Sequence, residues 1–345
     1  MYSTYLTILI PALIAFIVTI AATEFIMPYF IGAGIIAEDR NKERPRRIPS
    51  SGGLAVALGL IVGMLSYTFG GSFIFVPALN VSRLLAAALS IMLIAMVGFI
   101  DDINVMARRV ASTGMKDIRK GLKQWQKPLL TLLGALPLMA INAGASKLAI
   151  PFVGVVQLGI IYPLIVIPLE VIFVSNAFNL LGGFDGLQPG MGLAASLGLV
   201  IYSFFYGNYI GFLLSALLFS AILAFLPFNL YRSKIIPGDS FTYAVGGTIV
   251  AIMVIGNAEA FGAIILIPWI IEFILHLRKG FQVTDLGIRR ADGTFRAPYG
   301  KKIYSLTHLI MNSFSVSERK LSAYLVAFEA AFVVLALLLK VLGFL

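Results

Sequence analysis

Long apolar runs separated by short polar segments dominate the chain. They lie at about 5–28, 53–70, 83–100, 128–143, 155–175, 190–206, 209–228, 240–257, 260–277 and 321–343. Most approach the roughly 20 residues that a helix needs to cross the hydrocarbon core of a bilayer. Runs that long, apolar on every face, read as membrane spans rather than as amphipathic surface helices or alternating strands. The pattern predicts an all-α, polytopic membrane helix bundle of about ten transmembrane helices. No repeat, low-complexity tract or soluble module interrupts it, so residues 1–345 are expected to form a single integral membrane domain. The first run, Tyr5 to Met27, has no basic region before it and is too long for a signal-peptide core, so it counts as a span.

Composition sharpens this picture. Of 345 residues 59% are hydrophobic and only 12% charged, with a mean hydropathy of +0.96. A soluble chain carries about 25% charged residues, so a soluble enzyme is excluded. The 26 Lys and Arg outnumber 16 Asp and Glu, a formal net charge of +10. In a soluble protein that excess would suggest nucleic acid, but no nucleic-acid-binding signature is present. Here the expected partner of the charge is membrane lipid, because basic residues gather in cytoplasmic loops beside anionic headgroups.

Their distribution orients the bundle. The loops 32–50, 101–127, 176–189, 229–239 and 278–320 hold 23 of the 26 basic residues, leaving Arg83, Lys147 and Lys340 for the other side. The positive-inside bias places those five loops in the cytoplasm and both termini on the non-cytoplasmic side of the cell membrane. There is no Cys, hence no disulfide, thiolate metal site or cysteine nucleophile. His276 and His308 are the only histidines, which excludes a multi-histidine metal site.

The polar chemistry collects on the basic side. The third run ends in Asp101-Asp102, which point about 100° apart on a helix and so serve different partners, one as a cation ligand and one as a base. Negative charge is unfavourable at a helix C-terminus, which argues against a merely solvated end. Asn176 and Asn179 share a helical face and offer amide oxygens to a hard cation or donors to a phosphate. Gly182, Gly183, Asp185 and Gly186 follow, a turn in which the backbone can approach a ligand. Asp239 and Ser240 open the eighth run, with Asn229, Arg232 and Lys234 just before it. They can cap that helix, whose N-terminus is also a phosphate site. Lys127 at the entrance to the fourth run, beside Trp125, fits either a snorkelling interfacial residue or a phosphate contact. Glu24, Glu170 and Glu272 lie within or near the ends of spans, and intramembrane acids are functional candidates by default.

Taken in order, Pro49-Ser-Ser-Gly52-Gly53, Gly98-Phe-Ile-Asp101-Asp102, Lys127-Pro-Leu-Leu, Asn176-Ala-Phe-Asn179-Leu-Leu-Gly-Gly-Phe-Asp185-Gly186-Leu187, and Asn229 ten residues before Asp239 resemble the polyprenyl-phosphate N-acetylhexosamine-1-phosphate transferase family. The resemblance covers roughly residues 45–260. It implies ten transmembrane helices and transfer of N-acetylhexosamine 1-phosphate from a UDP-sugar to a polyprenyl or dolichyl phosphate, with Mg²⁺, or Mn²⁺ in its place. On the same grounds Asp239 and Asn179 are implied as metal ligands, Asp101 as the base or phosphate-positioning carboxylate, Asp102 as its catalytic partner and Lys127 as a phosphate contact. Asp185 is implied as a uridine contact, and Asn176, Gly186 and Asn229 join it as candidate substrate-binding residues.

Gly182 stands where many bacterial members carry an acid, so the segment is closer to the dolichyl-phosphate branch, and UDP-GlcNAc is the expected donor. The 278–320 loop lacks both the His-rich motif of the cell-wall translocase and the His-Arg motif of the dolichyl enzymes. Arg289, Arg290 and Arg296, with Lys301 and Lys302, are its candidates for gripping diphosphate. A second copy of the chain is a further candidate partner. Two alternatives are an aspartate-rich intramembrane prenyltransferase and a secondary transporter. Asp101-Asp102-Ile-Asn-Val lacks the later acid of the first, and the transporter would need charges at mid-span, for which Glu170 is the candidate.

Overall fold

The computed structural model describes residues 7–74, 81–111, 122–123, 125–144, 147–150, 154–206 and 209–345. The chain begins with α1 (Leu9–Gly32), the hairpin β1 (Ile36–Asp39) and β2 (Arg46–Pro49), α2 (Gly53–Phe73) and α3 (Val81–Ala111). Three short pieces follow, α4 (Gln126–Thr131), a 3₁₀ turn (Leu132–Ala135) and α5 (Leu136–Ala140), then the hairpin β3 (Lys147–Ile150) and β4 (Gly154–Gln157). A π turn (Tyr162–Val166) leads into α6 (Ile167–Leu180), followed by α7 (Leu187–Phe205), α8 (Tyr209–Asn229) and α9 (Gly238–Gly256). Helices α10 (Glu259–Ile265) and α11 (Ile267–Leu277), the hairpin β5 (Ile288–Arg289) and β6 (Phe295–Arg296), α12 (Leu306–Ser313) and α13 (Glu318–Val341) complete it.

Among the described residues eight helices are long and apolar enough to cross a membrane, and α10 with α11 form a pair bent by 56° that has the length and apolarity of a broken span or a re-entrant loop. Leu266 separates the two, and Pro268, which has no amide hydrogen to donate, lies in the first turn of α11. Three sequence expectations change in detail. The 128–143 run is a chain of short turns rather than one long helix, because Pro137 opens α5 and Gly134 presses against Ile94 of α3. The 155–175 run starts as strand, the β-branched Val155 and Val156 pairing with β3. Finally, α3 does not stop at Asp101-Asp102 but runs on to Ala111. The described part of the 101–127 loop is therefore partly helical, while 112–121 and 124 lie outside the described residues.

Helix α9 is the axis of the bundle. Every residue from Ser240 to Gly256 is buried, and α2, α3, α6, α7 and α8 pack around it. Helices α1 and α13 stand at the periphery, where Leu13, Ile17, Phe25, Val334 and Leu338 are exposed. Large apolar side chains turned outward are expected where the solvent is hydrocarbon. The described parts of the five loops on the basic side meet at one end. Gly52 and Gly53 donate backbone hydrogen bonds to Ile236 and Pro237, Lys42 reaches Glu318, and Lys127 reaches Asp239. At the opposite end Thr7 and Tyr67 meet the Tyr209 hydroxyl.

Backbone closeness at the N-terminus of α9 depends on two glycines. A Cβ on Gly53 would lie 1.9 Å from the Phe241 amide nitrogen, and one on Gly98 2.4 Å from the Asp239 carbonyl oxygen. Neither obstacle is a side chain that can rotate away. Gly53→Ala and Gly98→Ala should each destabilise the protein by about 1–3 kcal/mol or more, read as a lower Tm in detergent. Gly32→Ala, with nothing within 4 Å, should unfold like the parent. A parental Tm for Gly98→Ala would show that α3 and α9 are not so closely apposed.

Candidate active site at the basic end of the bundle

Being adjacent on α3, Asp101 and Asp102 face different neighbours. Asp101 Oδ1 accepts the Leu122 backbone N–H at 2.6 Å, and its Oδ2 meets Lys127 Nζ at 2.5 Å. The same ammonium donates to Asp239 Oδ2 at 3.0 Å, so one lysine from α4 ties together carboxylates of α3 and α9. Asp102 accepts the backbone N–H groups of Asp239 at 2.9 Å and Ser240 at 3.2 Å, and the Ser51 hydroxyl at 2.8 Å. Those amides are the orphan donors of the first turn of α9. Asp102 thus caps α9 from a neighbouring helix and sets its negative charge against the positive end of the helix dipole. Gly238 enters α9 with φ +75, where a side chain would be strained and would collide with Asp102.

The amides come from the end of α6. Asn179 Oδ1 accepts the Thr242 hydroxyl at 3.0 Å, three residues beyond Asp239 in the first turns of α9. Asn176 donates to Thr131 Oγ1 at 3.1 Å and to the Ile172 carbonyl at 2.7 Å, while its oxygen accepts from the Tyr243 hydroxyl at 3.4 Å. Five sequence-chosen residues, Asp101, Asp102, Lys127, Asn179 and Asp239, therefore meet, with Asn176 beside them. Exposure separates their tasks: the Asp101 side chain is 4% exposed, that of Lys127 21% and that of Asp239 26%. Lys127 and Asp239 are partly exposed, and Asp101 is buried against the same ammonium.

A second cluster holds the neighbouring turn. Asp185 Oδ2 accepts the backbone N–H groups of Arg232 and Ser233 at 2.9 and 3.1 Å and pairs with Lys42 Nζ at 2.8 Å. The Gly186 N–H donates to Asn229 Oδ1, whose amide donates onward to the Ile235 carbonyl. Asp185, Gly186 and Asn229 thus join the 181–187 turn to the 229–236 loop. Lys42 is the hub: it also meets Asp39 at 3.0 Å and Glu318 at 2.7 Å. Burial works to lower the Lys42 pKa, but its hydrogen bonds to Asp185 and Glu318 outweigh that and hold it above the ordinary value. Burial, with the nearby Asp185 carboxylate, raises Asp39.

Above this cluster opens a cavity of 390 Å³ lined by Lys42, Glu43, Arg44, Arg46, Tyr231, Arg232 and Arg289. Tyr231 and Arg289 also line an adjoining cavity of 320 Å³ with Arg319. Arg289 thus stands in a basic groove, whereas Arg290 and Arg296 are exposed on the β5–β6 hairpin and line neither cavity. The sequence reading missed Lys42, Asp39, Tyr231 and Glu318. The available signal was a single lysine amid the acids and arginines of 38–47 and a lone acid opening the last span. Ser51, quoted only as part of a motif, is a non-glycine residue at φ +65, a strained conformation of the kind that clusters at functional sites.

A polytopic helical bundle that gathers carboxylates, amides, a lysine and a basic groove at one end has the features of a membrane enzyme for anionic substrates. Residues 84–257, half of the chain, match the model of glycosyl transferase family 4, and the protein belongs to that family. It is 31% identical over 338 residues, 97% of either chain, to a protein of Saccharolobus solfataricus provisionally named as a UDP-N-acetylglucosamine–dolichyl-phosphate N-acetylglucosaminephosphotransferase. A Dictyostelium discoideum enzyme of that name is 25% identical over 323 residues, covering 82% of this chain and 75% of its own. The phospho-N-acetylmuramoyl-pentapeptide-transferase of Halalkalibacterium halodurans is 28% identical over 261 residues, covering 73% and 76%.

The Lys42 hub makes a stability prediction. Its side chain and those of Asp39, Asp185 and Glu318 are each at most 8% exposed, so Lys42→Met leaves three buried acids without their shared cation. The expected cost is about 3–5 kcal/mol, measured by thermal or denaturant unfolding. Because the folded-state pKa of Lys42 is raised, its contribution is complete below the ordinary value of 10.5 and is lost only as pH rises through the higher folded value. The gap between parent and variant should therefore be flat around neutral pH and close in strong alkali. A gap that closed near pH 7 would contradict this account of the hub.

Proposed function

We propose that this protein transfers N-acetylglucosamine 1-phosphate from UDP-N-acetylglucosamine to a dolichyl or related polyprenyl phosphate at the cytoplasmic membrane face, releasing UMP. The observation that carries this reading is the Asp101, Lys127, Asp239 bridge at the end of the bundle, in a chain similar along 97% of its length to a relative named for that reaction. An oxygen of the lipid phosphate attacks the β-phosphorus of the donor, and the bond to UMP breaks. Membership of the family and the 23 basic residues in the five clustered loops support the cytoplasmic placement.

Several groups have distinct tasks in this reading. Lys127, partly exposed, offers the ammonium that meets the incoming phosphate. Asp101 beneath it holds that ammonium and acts as base once Lys127 turns to substrate. Asp102 fixes the start of α9 and hence the place of Asp239. Arg289 and the basic groove bind the diphosphate and nucleotide. Three carboxylates against one ammonium leave negative charge in excess, and Asp239 and Asn179 present hard oxygen donors from two helices. That donor set fits Mg²⁺, or Mn²⁺, held by Asp239 and Asn179. When bound, the ion supplies charge compensation for the diphosphate. The prenyltransferase alternative loses support because Asp102 is occupied in capping α9.

Donor choice is the first test. Purified protein with polyprenyl phosphate should release UMP from UDP-GlcNAc and little from UDP-N-acetylmuramoyl-pentapeptide; the opposite preference would overturn the donor assignment. Asp101→Asn should lower kcat about 10²–10⁴-fold, with KM for UDP-GlcNAc changed only a few-fold. Wild-type turnover in that variant would remove Asp101 from the mechanism.

The metal assignment has its own readout. Asp239→Ala should abolish turnover and the dependence of nucleotide binding on Mg²⁺, and Asn179→Ala should weaken both. Undiminished Mg²⁺ dependence of UDP-GlcNAc binding in Asp239→Ala would place the ion elsewhere.

A further inference from the structure

Apart from the carboxylate and lysine bridge, a second convergence of ligating atoms lies where the 278–316 segment joins the last turns of α11. Glu272 and His276 are four residues apart on α11 and share a face. Asp285 arrives from the following loop. His276 Nε2 lies 2.9 Å from Glu272 Oε1 and 3.0 Å from Asp285 Oδ1, and one ligand atom from each of the three residues lies within 4.8 Å of the others. Glu272 is fully buried and His276 is 4% exposed.

The chemistry of that nitrogen is the deciding point. Nε2 carries at most one hydrogen, yet two carboxylate oxygens crowd the same position, so a single N–H cannot make a linear bond to both. A lone pair directed at a cation meets no such conflict, because both oxygens then bind the same ion. Ligand atoms that share one ion through bonds near 2.1 Å lie about 3.0–3.4 Å apart, and the two spacings from Nε2, 2.9 and 3.0 Å, lie at the short end of that range. Imidazole with two carboxylates is a donor set for a divalent transition ion rather than for the harder Mg²⁺ or Ca²⁺.

We propose that Glu272, His276 and Asp285 form a divalent metal site, for zinc or manganese, that fastens the 278–316 lobe to the end of α11. Supporting contacts surround it in the way that metal ligands are usually oriented. The second oxygen of Glu272 accepts the Leu306 N–H at 2.7 Å, at the start of α12. The Asp285 carbonyl accepts the Thr307 hydroxyl at 2.9 Å. His308, the other histidine, has both nitrogens engaged: Nδ1 accepts the Tyr304 N–H at 3.3 Å and Nε2 donates to the Thr284 carbonyl at 2.9 Å. It braces the site without ligating. The ion would pin the base of the lobe that carries Arg289, independently of the metal assigned to Asp239.

The test uses full-length protein in detergent, stripped with chelator and desalted, then titrated with Zn²⁺ or Mn²⁺ in the absence of any nucleotide. One equivalent should bind. X-ray absorption of the zinc-loaded protein should show a single imidazole, which only His276 can supply while His308 is engaged. His276→Gln and Asp285→Asn should each weaken binding by about 100-fold or more, and Asp239→Ala should leave it unchanged. Failure of the parent protein to retain either ion, an absorption spectrum without imidazole, or a bound ion lost in Asp239→Ala would each overturn the proposal. Should His276→Gln not fold, the imidazole count on the parent protein decides alone.

Discussion

The capping of α9 by a carboxylate from α3 is the constraint on which the rest of the site depends. A helix that starts at a membrane surface and is buried from its first turn has orphan N–H donors that water cannot fully reach. Asp102 accepts two of them and is held in turn by Ser51. This fixes where Asp239 begins its helix. Close backbone approach at Gly53 and Gly98 leaves no freedom to slide, so the two carboxylates that share Lys127 inherit their separation from the packing of α3 on α9.

Around that junction, charge is placed by need. Lys127 stands between two acids and Lys42 among three. An uncompensated carboxylate in this setting would be costly, and these lysines also tie together loops far apart in sequence. The two hubs differ in access. The Lys42 network is nearly closed and acts as a clamp on the 181–187 and 229–236 segments, whereas Lys127 and Asp239 are partly exposed. The exposed arginines of the basic groove lie above the clamp, where anionic substrate can reach them.

Much of this was legible from the chain. Hydropathy located the spans, and the placement of 23 basic residues identified the loops that the structure brings to one end. Asp101, Asp102, Lys127, Asn179 and Asp239 carried enough motif context to be chosen together. What was not legible has physical causes. The bend at Leu266 and the broken 126–140 segment coincide with Pro268 and Pro137, which have no amide hydrogen to continue a helix through runs whose hydropathy is continuous. Helix α3 outlasts its apolar stretch because neighbours on other helices satisfy its acids. Lys42, Asp185 and Glu318 are separated by more than a hundred residues at each step, and no local pattern joins them. Glu329 is hidden in the last apolar run; it is fully buried, and neither of its carboxylate oxygens has a hydrogen-bond partner among the described residues.

The central claim is that the site moves a phosphosugar, not a sugar, onto the lipid. UDP-GlcNAc labelled with ³²P at the β-phosphorus separates the two outcomes in one measurement. The account predicts label in the organic phase as a polyprenyl diphospho-sugar, with unlabelled UMP in the aqueous phase. Recovery of the label as UDP would contradict it, because the bond broken would then be the one between sugar and phosphate.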